Sequence, residues 1–411
     1  MGERSGTALE GRERRFSVLV TDGEERAALA VVRSLGRAGY RVCLCSPRRR
    51  SLAGGSRFVL AEMVVPDPLE SPQGYAQRVG ELVSEWGIDL ILPVADGSIL
   101  SLLPVRDELG AEVVAPSHSS FLAVSNKALV SRVAREVGIA VPRQWVLQSH
   151  DQLDEVLEGG VEFPLVIKPA RSVGGDDEAN GRRVRLSVSH AATRAELVEG
   201  LSNLPDEAYP VLLQQRIIGP GMGVFLLLWD GELLAAASHR RLREKPPSGG
   251  MSVYSESIPI DPLLLERSWR LLDYFAWQGP AMVEYKVDTV TGVPYLMEVN
   301  GRLWGSLQLA IDAGVDFPAL LIEAARGDPQ ISEGPYRPGL RLRWWWGDID
   351  HLLIRLRRSN PVLSLPPDAP SRLQVVREFM RVWRRGERNE VFRLHDPWPL
   401  VRETRDWILR R

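Results

Sequence analysis

Lysine is nearly absent from this chain of 411 residues: of 51 basic residues, 47 are arginine, and lysine stands only at Lys127, Lys168, Lys245 and Lys286. The bias marks those four positions, because a compact ammonium on a flexible stem is not replaced by an arginine fork. Cysteine is equally scarce. Cys43 and Cys45 are too few and too close for a disulfide framework and match no metal-ligand spacing. A reducing, cytoplasmic setting is therefore expected. No run of about 18 apolar residues occurs, so no membrane-spanning helix is expected, and residues 1–15 form a charged tail, expected to be disordered, without the apolar segment of a signal peptide.

A large excess of either charge is also missing. The formal charge of −2 excludes a uniformly basic nucleic-acid binder, although residues 331–411 hold 17 arginines against 10 acids. With 44% hydrophobic and 25% charged residues the composition is that of an ordinary globular protein, and the length predicts two or three domains.

The periodicity predicts α/β structure first and α+β structure after it. Residues 16–21 form an apolar, β-rich run, followed by a helical pattern over 24–38 and a second strand over 41–45. The alternation continues with a helix over 72–86, a strand over 88–93, a helix over 99–109 and a strand over 112–115. A Rossmann-like parallel sheet is expected for residues 16–116. What it lacks is a G-x-G-x-x-G: the first turn reads Thr21-Asp22-Gly23-Glu24, whose acids would repel a pyrophosphate. A dinucleotide-dependent oxidoreductase is set aside on that ground. The turn Asp96-Gly97-Ser98 still ends a strand where ligands of open α/β sheets bind.

Residues 117–330 differ in character. A helical stretch over 117–138 contains Asn126-Lys127. A strand over 163–168 ends in Lys168-Pro169, and a glycine loop, Arg171-Ser172-Val173-Gly174-Gly175-Asp176-Asp177, follows it. Strands are expected over 182–188 and 211–215, and two hairpins follow. The first joins 225–229 to 232–237 across Asp230-Gly231, a strong hairpin signal. The second joins 281–287 to 293–300 across a turn centred on Thr291. Glu284 and Glu298 each lie seven residues from that centre, so a regular register sets them opposite one another, with Asn300 two residues on and on the same face. Two carboxylates and an amide oxygen converging on one point call for a cation, and hard oxygen donors suit Mg²⁺ or Mn²⁺. A solvated acid pair is the alternative, but both glutamates sit in apolar strands.

With these motifs, above all Met297-Glu298-Val299-Asn300-Gly301-Arg302-Leu303-Trp304-Gly305-Ser306, the chain resembles the ATP-grasp superfamily, and within it the carboxylate–amine ligases, over residues 16–326. The resemblance implies a two-lobed ATP-grasp fold over 117–330 behind the N-terminal domain. It implies that Lys127 and Lys168 contact nucleotide phosphates, that Arg171, Ser172, Gly174 and Gly175 close over them, and that residues 211–215 form a hinge with Gln214 near the adenine. Glu284, Glu298 and Asn300 would hold the metal, and Arg302, with Lys168, would act on the transferring phosphoryl group. ATP and Mg²⁺ are the implied cofactors, and a small carboxylate and an amine the implied substrates. A bicarbonate-using carboxylase or carbamoyl-phosphate type reaction and a non-catalytic nucleotide-binding module remain open. The chain departs from the family in lacking an acid for the ribose over 218–224 and in having Gly301 where proline is common.

The run Ser238-His239-Arg240-Arg241-Leu242-Arg243-Glu244-Lys245 and the loop that ends in Gly249-Gly250 read as a mobile basic lid for an anionic substrate, with a solvated strand end as the alternative. Residues 331–411, rich in prolines (Pro361, Pro366, Pro367, Pro370) and holding six of twelve tryptophans, Trp383 among them, read as a separate element or a docked helical extension whose tryptophans are core, with a surface for nucleic acid, membrane or a partner as the alternative. No nucleic-acid partner is expected, and a homodimer is left open.

Overall fold

The computed structural model describes residues 16–175, 181–332, 334–360, 362–363, 365, 369–381 and 386–409. The tail 1–15, Asp176, Asp177, Pro361, Pro366, Pro367 and Trp383 lie outside them.

Short apolar strands followed by amphipathic helices build the first sheet. β1 (Ser17–Val20), β2 (Arg41–Ser46), β3 (Val59–Val64), β4 (Leu90–Leu92) and β5 (Glu112–Val113) lie in the order β3-β2-β1-β4-β5, all parallel. β3 was not expected: it is a half-exposed edge strand without a clean period of two. Cys43 and Cys45 are free, buried thiols on β2. The expected helix over 117–138 breaks instead at Asn126, whose side chain caps the helix Lys127–Glu136 by accepting from the N–H of Ala128 and Leu129.

The small lobe is the sheet β10-β7-β11-β6, made of β6 (Gln144–Leu147), β7 (Leu165–Pro169), β10 (Ser189–Ala191) and β11 (Val211–Gln215). β8 (Val173–Gly174) pairs with β9 (Val184–Arg185) beside it. The large lobe is a seven-stranded sheet, β16-β15-β12-β13-β14-β17-β18. Its strands are β12 (Gly221–Trp229), β13 (Glu232–Lys245), β14 (Met251–Ser257), β15 (Gly279–Val287), β16 (Pro294–Asn300), β17 (Arg341–Arg343) and β18 (Glu387–Asn389). Asp230 and Gly231 both take positive φ, 49° and 81°, as a two-residue hairpin with the right twist requires.

Two corrections follow. The basic run 238–245 is the second half of β13 and not a mobile lid. The region after 330 is not a separate element, because β17 and β18 extend the large sheet. Charge pairs fasten it further: Asp348 takes both Arg243 (2.5 Å) and Arg343 (2.6 Å), and Asp396 takes Arg33 of the N-terminal domain at 2.8 Å, both side chains almost fully buried. Asp396→Ala would leave the Arg33 guanidinium buried without its counter-ion, so a loss of about 3 kcal/mol is expected in urea unfolding. A continuous core joins the helix Arg26–Arg37 to the large sheet, where Trp304 stacks on Phe225 with ring centroids 4.0 Å apart. Among the described residues no helix is long and apolar enough to cross a membrane.

Candidate functional site

The hairpin β15–β16 carries the register that its turn length dictates: Glu284 faces Glu298, and Met282 faces Asn300. Beyond that pair the register slips by one at Met297, and the bulge offers the Met297 carbonyl to Lys168 Nζ at 2.6 Å. Lys127 Nζ donates to Ser172 Oγ at 2.9 Å and stands 3.8 Å from Glu298 Oε2. Asn300 Nδ2 donates to Glu298 Oε1 at 3.3 Å. Arg302 Nε donates to Asp96 Oδ2 at 2.9 Å, and another of its nitrogens stands 3.5 Å from Asn300 Oδ1. Residues from the N-terminal sheet, the small lobe and the large lobe therefore meet at one crevice.

Two adjoining cavities divide the candidates. One, of about 370 Å³, is lined by Lys168, Gln214, His239, Arg241, Gly249, Gly250, Glu284 and Arg302. The other is narrow and lined by Lys127, Arg171, Ser172, Gly174 and Gly175, and Glu298 and Asn300 border both. Gln214 is buried and donates to Gln144 Oε1 at 2.7 Å. Arg240 borders neither cavity: its guanidinium is held by Glu256 on the neighbouring strand.

Arg241 is the residue whose position sequence reasoning missed. It forks Glu284 with bonds of 2.8 and 2.6 Å, although β13 and β15 are separated by β12. Glycines on the intervening strand make the reach possible. A Cβ on Gly221 would come within 2.9 Å of Arg241 Cδ, and one on Gly223 within 3.0 Å of His239 Nε2. His239 is buried between Phe225 and Ser306, and burial holds its pKa well below the ordinary value. It is therefore neutral near pH 7. Gly301, the other departure, packs where a Cβ would stand 2.3 Å from the Trp277 ring, which excludes proline as well.

Electrostatics separates the two facing glutamates. Burial raises the Glu284 carboxyl, with Glu298 adding to the rise against Arg241. Burial works on Glu298 too, but the ammonium groups of Lys127 and Lys168 outweigh it and hold that carboxyl ionised. Burial lowers the pKa of Lys127 itself. Of this donor set Glu298 is the more available acid, meeting one hydrogen bond of 3.3 Å and an ammonium at 3.8 Å, whereas both Glu284 oxygens are taken by Arg241. A divalent cation bridging the facing acids would share or displace that fork. Among the described residues no cluster of three or more His, Cys, Asp or Glu is placed to hold a metal, so phosphate oxygens or water would complete the shell.

His190 on the cavity wall gives a pH test. Burial, then Arg216 and Lys286, lower its pKa from 6.5 to about 4. The unfolded chain takes up a proton in that window and the folded chain does not, so stability is full above pH 6.5 and falls toward pH 4. His190→Gln should flatten the fall of the melting midpoint over that range.

Comparison with known proteins bears on the fold. A family model described as the ATP-grasp in the biosynthetic pathway with Ter operon matches residues 207–347. The carbamoyl phosphate synthase large chain of Rubrobacter xylanophilus is 25% identical over 194 residues, 46% of this chain, which spans 17% of that protein's length. Among solved structures, L-amino acid ligase from Bacillus licheniformis superposes with a TM-score of 0.62 at 17% identity, over 80% of this chain and 79% of that one. Biotin carboxylase from Campylobacter jejuni superposes with 0.63 at 15% identity, over 79% and 74%. Over about four-fifths of the chain the fold is theirs, the glutamate pair sits at the lobe junction, and residues 207–347 match the ATP-grasp family model.

Proposed function

We infer that the protein is an ATP- and Mg²⁺-dependent ligase that joins a carboxylate to an amine through an acyl phosphate. The observation that carries the reading is the convergence of Glu284, Glu298 and Asn300 with Lys127, Lys168 and Arg302 at one crevice. Phosphoryl transfer needs little covalent help from a protein; it needs positioning and neutralisation of charge. A divalent cation on the two glutamates and Asn300 would neutralise the phosphates of the nucleotide. Lys127 and Lys168 are point charges for the same oxygens, and the Arg171–Gly175 loop borders the narrow cavity that Lys127 lines.

In the first step a carboxylate oxygen attacks the γ-phosphorus and ADP leaves. In the second the amine nitrogen attacks the carbonyl carbon, the C–O bond breaks and phosphate departs with the bridging oxygen. Arg302 meets the charge on the transferring group, with Asp96 holding its Nε. Asp96→Asn is expected to lower kcat by roughly tenfold to 10²-fold, the cost of a displaced catalytic group, with little change in KM for ATP. ADP release tested over a panel of carboxylates with and without amines decides the reading: release that needs both substrates supports it. Biotin carboxylase superposes as well as the ligase does, so bicarbonate belongs in the panel as a carboxyl donor. Tight ATP binding without turnover on any combination would favour a nucleotide-binding module instead.

A further inference from the structure

A third cavity, of about 600 Å³, opens beside Arg302, and it is walled by the N-terminal domain on one side and by the region after 330 on the other. It shares Arg26, Met251, Arg302 and Gly305 with the cavity that holds Lys168 and Glu284, so a molecule inside it can reach the same crevice. Three of its wall residues are tryptophans fixed by their own N–H groups. Trp344 donates to Glu403 Oε1 at 2.6 Å, Trp346 to Thr404 Oγ1 at 3.0 Å and Trp407 to Asp350 Oδ1 at 3.0 Å. Trp346 and Trp407 stack with centroids 4.1 Å apart. Pinned indoles make a rigid wall rather than a collapsible one.

Charge is distributed unevenly in this chamber. The cations of its inner part are already taken: Arg26 by Glu390, Lys245 by Asp350 and Arg302 by Asp96. Glu24, Glu25, Glu403 and Asp406 line the same space, half-buried and without an ion pair among the described residues. Glu403 Oε2 is buried with no hydrogen-bond partner. Burial lifts the carboxyls of Glu24 and Glu403 to about 7, against the hydrogen bond of Ser46 on Glu24 and against the hydrogen bond of Trp344 and the nearby Arg26 and Arg33 charges on Glu403. The rim is the opposite: Arg48, Arg49 and Arg50 are exposed there and have no ion pair among the described residues.

We propose that this chamber is the acceptor subsite and that it takes an amine bearing an anionic tail, the amine on the acidic inner wall near Arg302 and the tail on the arginine rim. The inference rests on the ligase reading for the word acceptor, but the binding it asserts does not require ATP. The orientation follows from the charges: the nitrogen is drawn toward the acids of the wall, of which Glu25 acts on Arg302, and the guanidinium forks of Arg48 to Arg50 suit a carboxylate or a phosphate. The region after 330 thereby contributes to substrate selection.

The test is calorimetric titration of the full chain, without nucleotide, with O-phosphoethanolamine, β-alanine, ethanolamine and inorganic phosphate. At least one of the first two should bind tenfold or more tightly than ethanolamine and phosphate, and the tighter of the two identifies the tail as phosphate or carboxylate. Arg48→Gln with Arg49→Gln, at exposed positions, should remove that advantage, and Glu403→Gln should weaken both probes at least threefold. Equal binding of all four probes, or an advantage unchanged in the double variant, would overturn the proposal. Repeating the titration on Glu298→Gln keeps the two readings apart. Retained probe binding there supports the chamber whatever becomes of ATP turnover, and ADP release unaffected by that substitution counts against the ligase reading alone.

Discussion

Arg302→Ala is expected to lower ATP-dependent turnover by roughly 10³-fold or more, the scale on which an arginine at a transferring phosphoryl group acts. The guanidinium is held from two sides, by Asp96 of the N-terminal domain at 2.9 Å and by Asn300 at 3.5 Å. Asp96 is itself placed by a short network: the Asp22 carboxylate accepts from the N–H of Val94 and Ala95 and from Ser98 Oγ, fixing the turn that carries Asp96. Asp96 raises the pKa of Arg302 further, so the charge is permanent. Single-turnover measurement separates the effect from binding: the chemical step should slow while nucleotide affinity changes by less than tenfold. Arg302→Lys should recover only part of the rate, because one ammonium cannot hold Asp96 and a phosphoryl oxygen with the geometry of a fork.

Glu298→Gln is expected to lower kcat/KM for ATP by about 10² to 10³-fold and to raise the Mg²⁺ concentration needed for half-maximal rate. Glutamine keeps the shape and an oxygen donor but removes the negative charge that faces Lys127 and Lys168. It also removes the repulsion with Glu284, so the fold should survive. The carboxylate is held below its ordinary pKa in the folded state, so it stabilises the protein at neutral pH, and that contribution is lost as pH falls through the folded value. The variant should therefore show a weaker loss of stability in acid than the parent, read from melting midpoints between pH 5 and pH 3.

How much of this was legible depended on how local each contact is. The facing of Glu284 and Glu298 could be counted from a short turn, because the side-chain period of a strand leaves one register that buries the apolar positions. The slip at Met297 lies just past the pair and so did not disturb it. Arg241 on Glu284 could not be counted, since it spans 43 residues and a whole strand; its trace is the spacing of Gly221 and Gly223, which removes the side chains in the way. Asp96 on Arg302 spans 206 residues and has no local trace at all. The break at Asn126 had one, a side chain of capping type before an apolar run, but the apolar pattern runs through it unbroken.

The region after 330 was legible as an extension but not in how it docks. Its arginine and tryptophan content gave the impression of an appendage, yet what decides its role is where its acids land. Asp348 and Asp350 receive Arg243 and Lys245 from β13, so the basic run that had looked like a lid is tied down by the extension. Lys245 is thereby a structural lysine. Lys127 and Lys168, in contrast, sit buried at the crevice, Lys127 3.8 Å from the Glu298 carboxylate and Lys168 on the bulged Met297 carbonyl at 2.6 Å, so neither holds an ion pair as short as that of Lys245.

The central claim is that a carboxylate is activated as its phosphoric anhydride. The most direct measurement uses a substrate carboxylate labelled with ¹⁸O in both oxygens, with ATP, Mg²⁺ and the amine, followed by mass analysis of the phosphate released. Transfer of one ¹⁸O to each phosphate, in step with amide formation and abolished in Glu298→Gln, is the predicted result. Unlabelled phosphate released during amide formation would contradict the account.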